Sequence, residues 1–244
     1  MSPAELSDVR PDSVDLVDTL LRDRDKTFEA IAAERDLPTL VRSLVITVVF
    51  GSLIFGVALG AFRGGLQMVY AGIKLPLVLL LTTAACAPAL TLVGSALGRQ
   101  SNFRRDLALV LSALARTSLA LGALTPLVLL GVELDVSYHR MLLLAVGSCA
   151  LAGLVGLVHF GRGLRFLDEQ AVRSTAFVLF GVFALVGTQM SWTLRPFLVR
   201  PRTEQPPIVR QVEGSFLESV RKSGRSAAGV YDEEHLEGSV EEYP

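Results

Sequence analysis

Cysteine is scarce in this sequence, and the motifs of known catalytic and metal sites are missing. The two cysteines, Cys86 and Cys149, fall inside apolar runs, where cysteine usually behaves as a small apolar residue. This usage indicates neither a disulfide framework nor a metal site. The sequence also lacks a Gly-rich phosphate loop, a nucleophile elbow and an HExxH motif. We therefore predict no catalytic residues, no cofactor and no metal ligands.

Potential acid–base or ligand groups occur in two places, and both have a simpler interpretation. Glu133, Asp135 and His139 share one short loop without recognised metal-ligand spacing. We interpret them as solvated loop residues. His159 ends an apolar run, and we interpret it as an interfacial side chain rather than an acid–base group.

The first 39 residues lack the apolar core of a cleavable signal peptide. We therefore expect the first apolar span to act as the targeting element. Ser13 to Arg35 is predicted to be an amphipathic helix with an acid-rich polar face. That face favours a packed or partner-binding helix over an interfacial lipid-binding one. The apolar positions at helical spacing are Val14, Val17, Leu21, Phe28 and Ile31.

The formal net charge of −1 conceals an uneven distribution of charge. Residues 1–36 carry ten acids and five bases, and residues 203–244 carry nine acids and four bases. The middle, 37–202, carries 14 bases and five acids. Two acidic termini thus flank a basic central region, and nothing in the sequence suggests nucleic-acid binding.

Apolar residues make up 51% of the chain, and the mean hydropathy is +0.49, which is unusual for a soluble domain. About 20 apolar residues suffice to cross a bilayer. We predict an all-α, polytopic transmembrane bundle at 40–200, between a polar amphipathic segment at 1–39 and a largely disordered polar tail at 201–244. The five predicted spans are 43–62, 75–97, 107–131, 141–160 and 172–192.

Several features are predicted to organise these spans. Gly56 and Gly60 form a GxxxG pair, which indicates either a close helix contact or chance in a Gly-rich chain. The connector from Arg63 to Lys74 is predicted to be a short helix lying in the membrane interface. The predicted membrane-interface anchors are Tyr70, Lys74, Trp192 and Arg195.

Arg116 lies about nine residues inside the third span, where an arginine costs about 3 kcal/mol on insertion scales. Pro88 lies at a matching depth in the second span and frees the carbonyl of Ala84. We predict that the guanidinium donates to this carbonyl, helped by Ser112. The alternatives are extension toward the headgroups on the Arg104 side, or a site for a substrate or a lipid headgroup.

Basic residues near the membrane favour one orientation. Nine lie on the side of the N-terminus and seven on the other side. We therefore predict a cytoplasmic N-terminus in the bacterial inner membrane, with the C-terminus opposite.

Three segments carry a resemblance to known proteins: GLQMVYAGIKLPLVLLLT, FRRDLALVLSAL and GTQMSWTLRPF. They resemble segments of uncharacterised bacterial multi-span membrane proteins. The plan of a polar N-terminus followed by five closely spaced helices is similar to that of the Yip family. The resemblance covers about residues 43–200 and implies membrane organisation or a trafficking partnership rather than an enzyme.

The sequence thus favours an integral membrane anchor, scaffold or assembly partner without catalytic activity. Its expected partners are the lipid bilayer and a protein bound through the acidic termini, and an oligomer is a further possibility. The alternative is a small permease or channel subunit. Its pathway would be lined near Arg116, Thr82, Thr83 and Gln189.

Overall fold

A computed structural model describes residues 24–34, 36–96, 102–136, 138–167 and 181. Every regular element within these ranges is an α-helix, which confirms the all-α prediction for this part of the chain. The predicted fifth span, apart from Gly181, and the tail at 201–244 lie outside the described residues. The helices are α1 (Arg24–Ala32), α2 (Leu37–Ala61), α3 (Leu66–Ala96), α4 (Phe103–Glu133) and α5 (Tyr138–Leu167).

Four of these helices, α2 to α5, are long and apolar enough to cross a membrane. The shortest, α2, has 25 residues, or roughly 37 Å at about 1.5 Å per residue. That length exceeds the ~30 Å hydrocarbon core of a bilayer. Four of the five predicted spans therefore occur as helices. Each begins before its predicted start, because residues outside the hydrocarbon can also be helical, whereas α2 and α3 end one residue before the predicted limits.

Helix α3 differs from the prediction for residues 63–97. Residues 66–96 form one continuous helix, so the prediction of a separate interfacial helix before Leu75 is wrong. Pro76 lies inside α3, where it leaves the carbonyl of Gly72 without its intrahelical donor. The helix continues through this position because Ala71 and Gly72 are buried in a close contact with α2.

The GxxxG pair of α2 forms that contact. A Cβ atom added at Gly56 would lie 2.5 Å from the carbonyl oxygen of Ala71. A Cβ added at Gly60 would lie 2.5 Å from the carbonyl oxygen of Gln67. No real side chain fits at such distances, so only glycine lets the two backbones approach this closely. The close-contact interpretation of the pair is therefore confirmed.

Helix α4 is the central helix of the described bundle, since it contacts each of the other four. Its Ser118 packs on Gly51 of α2, where an added Cβ would lie 2.5 Å from the Ser118 carbonyl oxygen. One apolar cluster joins Ile31 of α1 and Leu44 of α2 to Ala115 of α4. The third predicted span thus occupies the central position in the fold.

Helix α1 lies at the end of the bundle where α4 begins and α5 ends. Phe28 packs there with Leu109 of α4 and Leu164 of α5. Asn102 caps the N-terminus of α4 and donates a 2.9 Å hydrogen bond to Glu34, in the turn that follows α1. These contacts connect the turn between α1 and α2 to the start of α4.

Candidate intramembrane polar site

Arg116 lies close to the middle of α4. It follows Phe103, the first residue of this 31-residue helix, by 13 positions, or roughly 20 Å along the axis. Its side chain is half-buried. Helix α4 begins four residues earlier than the predicted span, and Arg116 lies near its middle.

Ser112 lies one turn before Arg116, and its side chain is completely buried. Its hydroxyl donates to the carbonyl oxygen of Leu109 at 2.8 Å. The same oxygen lies 3.2 Å from Nε2 of His159 on α5. A serine hydroxyl has one proton, and the shorter bond to Leu109 uses it. The Ser112 oxygen and Nε2 of His159 are therefore within hydrogen-bond distance across α4 and α5.

His159 is also buried, with 1% of its surface exposed. The ring of Phe28 lies over it, with ring centroids 4.8 Å apart. Phe28 contacts the ring of Phe166 as well, at 5.8 Å. The imidazole is thus enclosed by α1, α4 and α5, and the position of His159 at the membrane interface stays a prediction.

His159 is the polar residue of this site that sequence reasoning missed. A signal was present, because Ala145, Ala152 and His159 recur at intervals of seven and are all buried. Seven residues are close to two helical turns, so the three positions share one face of α5. That face packs on α4, where Gly156 closely approaches Thr117 and Ala113.

The four residues of the predicted tie lie on two helices. Ser112 and Arg116 share α4, whereas Ala84 and Pro88 lie on the exposed face of α3. The buried residues of that stretch of α3 are Thr82, Thr83, Cys86, Ala87 and Leu90. The hydrogen bond from Arg116 to the Ala84 carbonyl stays a prediction. Ser112 bonds instead to Leu109 and His159.

Asp106 is a buried carboxylate in the first turn of α4. The predicted span began at Leu107, so the sequence placed this acid outside the membrane region. It precedes Arg116 by ten residues, or roughly 15 Å along the helix axis. That separation is too large for a direct ion pair between the two side chains.

The predicted interface anchors have different environments. Tyr70 is half-buried, whereas Lys74 is only 5% exposed and its Nζ has no hydrogen-bond partner among the described residues. The membrane-interface role of Lys74 stays a prediction. The continuous α3 places Lys74 on the same side as Ala71 and Val78, which face the bundle. Trp192 and Arg195 lie outside the described residues.

The remaining candidate residues are those of the predicted pathway and of the loop with acids and a histidine, and they lie in different parts of the chain. Thr82 and Thr83 are buried in α3, and Thr83 donates to the carbonyl oxygen of Leu79 at 2.8 Å. Gln189 and the side chain of His139 are outside the described part of the chain, and Glu133 and Asp135 are exposed. Among described residues, no three His, Cys, Asp or Glu side chains are placed to hold a metal ion.

The fold defines an all-helical bundle with four helices of membrane-spanning length and apolarity. Its buried polar side chains include the Ser112–His159 pair on facing helices. No family model, curated protein or solved structure matches this chain.

Proposed function

We propose that this chain is an integral membrane anchor, scaffold or assembly partner without catalytic activity. In this proposal it resides in the bacterial inner membrane with five spans and a cytoplasmic N-terminus. The four membrane-length helices and the resemblance to the Yip plan support it. The acidic N-terminal region supplies the contact with a protein partner.

The observation that carries the proposal is the attachment of α1 to the bundle. Phe28 and Ile31 are buried between α1 and the membrane-length helices. Asp25 and Glu29, on the opposite side of the short helix, are exposed. The apolar side of α1 therefore holds it at the bundle end, and its acidic side is available to a partner with basic side chains.

The geometry of the Ser112–His159 pair supports the non-catalytic part of the proposal. A nucleophilic serine transfers its proton to a histidine that accepts it. Here the hydroxyl donates to the carbonyl oxygen of Leu109, and Nε2 of His159 lies 3.2 Å from the serine oxygen. The pair is also sealed from solvent by Phe28. This arrangement suits a hydrogen bond between two helices rather than acyl transfer.

Site-specific photo-crosslinking in native membranes tests the proposal. A photoreactive amino acid at Asp25 or Glu29 is expected to give a discrete protein adduct. The same group at Leu143, which is 60% exposed on α5, is the matched control and is expected to give lipid adducts alone. The proposal is refuted if the α1 positions give no protein adduct.

A permease or channel subunit is the second candidate, favoured by Arg116 near the middle of α4. A charge at that depth often marks a substrate or ion pathway. Solute flux would be measured in reconstituted vesicles. Loss of this flux in Arg116→Leu, together with unchanged photo-adducts at Asp25, would favour this candidate. Flux that is absent or insensitive to Arg116→Leu would exclude a pathway at this residue.

A further inference from the structure

Five arginines lie at one end of the described bundle. The start of α2, the start of α4 and the end of α5 share this end, because Leu44 packs near Ala108 and Leu109 packs near Leu164. Four of the five side chains are exposed, and Arg105 is half-buried. We call this set the arginine collar: Arg42, Arg104, Arg105, Arg162 and Arg165.

Exposed apolar side chains adjoin the collar on the outer surface of the helices. Ile46, one turn from Arg42, is 38% exposed, and Val158, one turn from Arg162, is 46% exposed. Phe50, one further turn along α2, is 63% exposed. The exposed arginines therefore adjoin an exposed apolar surface on the membrane-length helices.

The opposite end of the bundle has a different balance of charge. Arg63 and Arg140 are the arginines there, and the acids Glu133 and Asp135 are exposed in the turn between α4 and α5. At the collar end, the exposed acids lie on α1 and in its following turn: Asp25, Glu29, Glu34 and Asp36. Apart from the buried Asp106, the ends of the membrane-length helices at the collar are arginine-rich.

We propose that the arginine collar binds the phosphate groups of anionic phospholipids. The planar guanidinium presents paired N–H donors that match phosphate oxygens. The occupant is a membrane lipid rather than a soluble anion, because its acyl chains cover the adjoining apolar side chains. This inference goes beyond the proposed function, since it names a second partner for a different surface.

The collar also has a consequence for orientation. Anionic lipids give the cytoplasmic leaflet a negative surface potential. A collar that selects them stabilises the orientation in which α1 and the N-terminus face the cytoplasm. The same contacts hold the acidic side of α1 close to the membrane surface.

Lipid retention by the full-length protein tests the proposal. The protein is purified in dodecyl maltoside, incubated with dioleoylphosphatidylglycerol or dioleoylphosphatidylcholine, and re-isolated for native mass spectrometry. The test variant is R162Q/R165Q, and the matched control is R140Q. All three arginines are exposed on α5, but Arg140 is at the opposite end. Because these side chains are exposed, the helical circular dichroism of every variant is expected to equal that of the wild type.

We expect the wild type and R140Q to retain phosphatidylglycerol in preference to phosphatidylcholine. Each collar arginine removed is expected to weaken phosphatidylglycerol binding about fivefold, or roughly 25-fold for the double variant. Equal retention by R162Q/R165Q and the wild type would overturn the proposal, as would an equal loss in R140Q. Displacement of the lipid by soluble glycerol phosphate at the same concentration would also overturn it, because the acyl chains would then contribute nothing.

Discussion

The close contact between α2 and α3 at Gly56 allows a quantitative test of the packing. A Cβ at this position would lie 2.5 Å from the Ala71 carbonyl oxygen and 3.0 Å from the Cα of Gly72. These are backbone atoms, so the contact cannot be relieved by a side-chain rotation. In Gly56→Ala the two helices must separate, and overpacking of this kind costs roughly 1–3 kcal/mol.

A matched substitution removes the contribution of helix propensity. Alanine is favoured over glycine in a helix interior by about 1 kcal/mol, which would partly mask the packing cost. Gly147 is a helical glycine of α5 with no described atom within 4 Å of an added Cβ. Gly147→Ala therefore gains propensity without the clash. The difference between the two variants isolates the packing cost, about 1–3 kcal/mol.

The measurement is the free energy of unfolding in dodecyl maltoside micelles titrated with dodecyl sulfate, followed by far-UV circular dichroism. We expect Gly147→Ala to be at least as stable as the wild type. Gly56→Ala is expected to unfold at a lower dodecyl sulfate fraction. Equal shifts for the two variants would show that α2 and α3 do not approach as closely as described.

Three further predictions concern buried side chains and use the same unfolding assay. In a double-mutant cycle, Ser112→Ala and His159→Phe are expected to show a coupling energy of about 0.6 kcal/mol, the average for hydrogen bonds between membrane helices. If the two substitutions changed the free energy of unfolding additively, that result would contradict the Ser112–His159 bond. Phe28→Ala is expected to cost about 3–5 kcal/mol locally and to let α1 unfold, so that trypsin cleaves faster after the exposed Lys26. An unchanged rate of cleavage would contradict the docking of α1. Lys74→Met is expected to stabilise the bundle by about 1–3 kcal/mol, because it removes a buried amine without a described hydrogen-bond partner. If the variant were less stable than the wild type, the amine of Lys74 would have a hydrogen-bond partner.

The positions of four membrane-length helices could be predicted from the sequence. A hydrocarbon core requires about 20 consecutive apolar residues, and this requirement acts on each segment by itself. The predicted spans 107–131 and 141–160 accordingly fall within α4 and α5, and the span 43–62 ends one residue beyond α2. Their ends were less predictable, because no hydrophobic requirement marks where a helix stops outside the bilayer.

The sequence could not predict which residues of a helix lie on its packed side and which lie on its lipid-facing side. Almost every position of a membrane helix is apolar, so hydrophobic periodicity does not separate the packed side from the lipid-facing side. The sequence therefore does not reveal that Lys74 is buried in the bundle. Ser112 was paired with Arg116, although its hydroxyl bonds to Leu109 and lies within 3.2 Å of His159. These assignments depend on how neighbouring helices rotate about their axes.

The sequence by itself determined the all-α class of the described region and its four membrane-length helices, and its GxxxG pair permitted a close approach that only the structure established. Each of these follows from local chemistry: apolar runs, helical spacing and the absence of a side chain on glycine. Only the tertiary structure decided that α3 continues through Pro76, that α1 docks through Phe28, and that His159 bonds to Ser112. Those features arise from contacts between segments distant in the chain, where the packing of several helices sets the surroundings of each side chain.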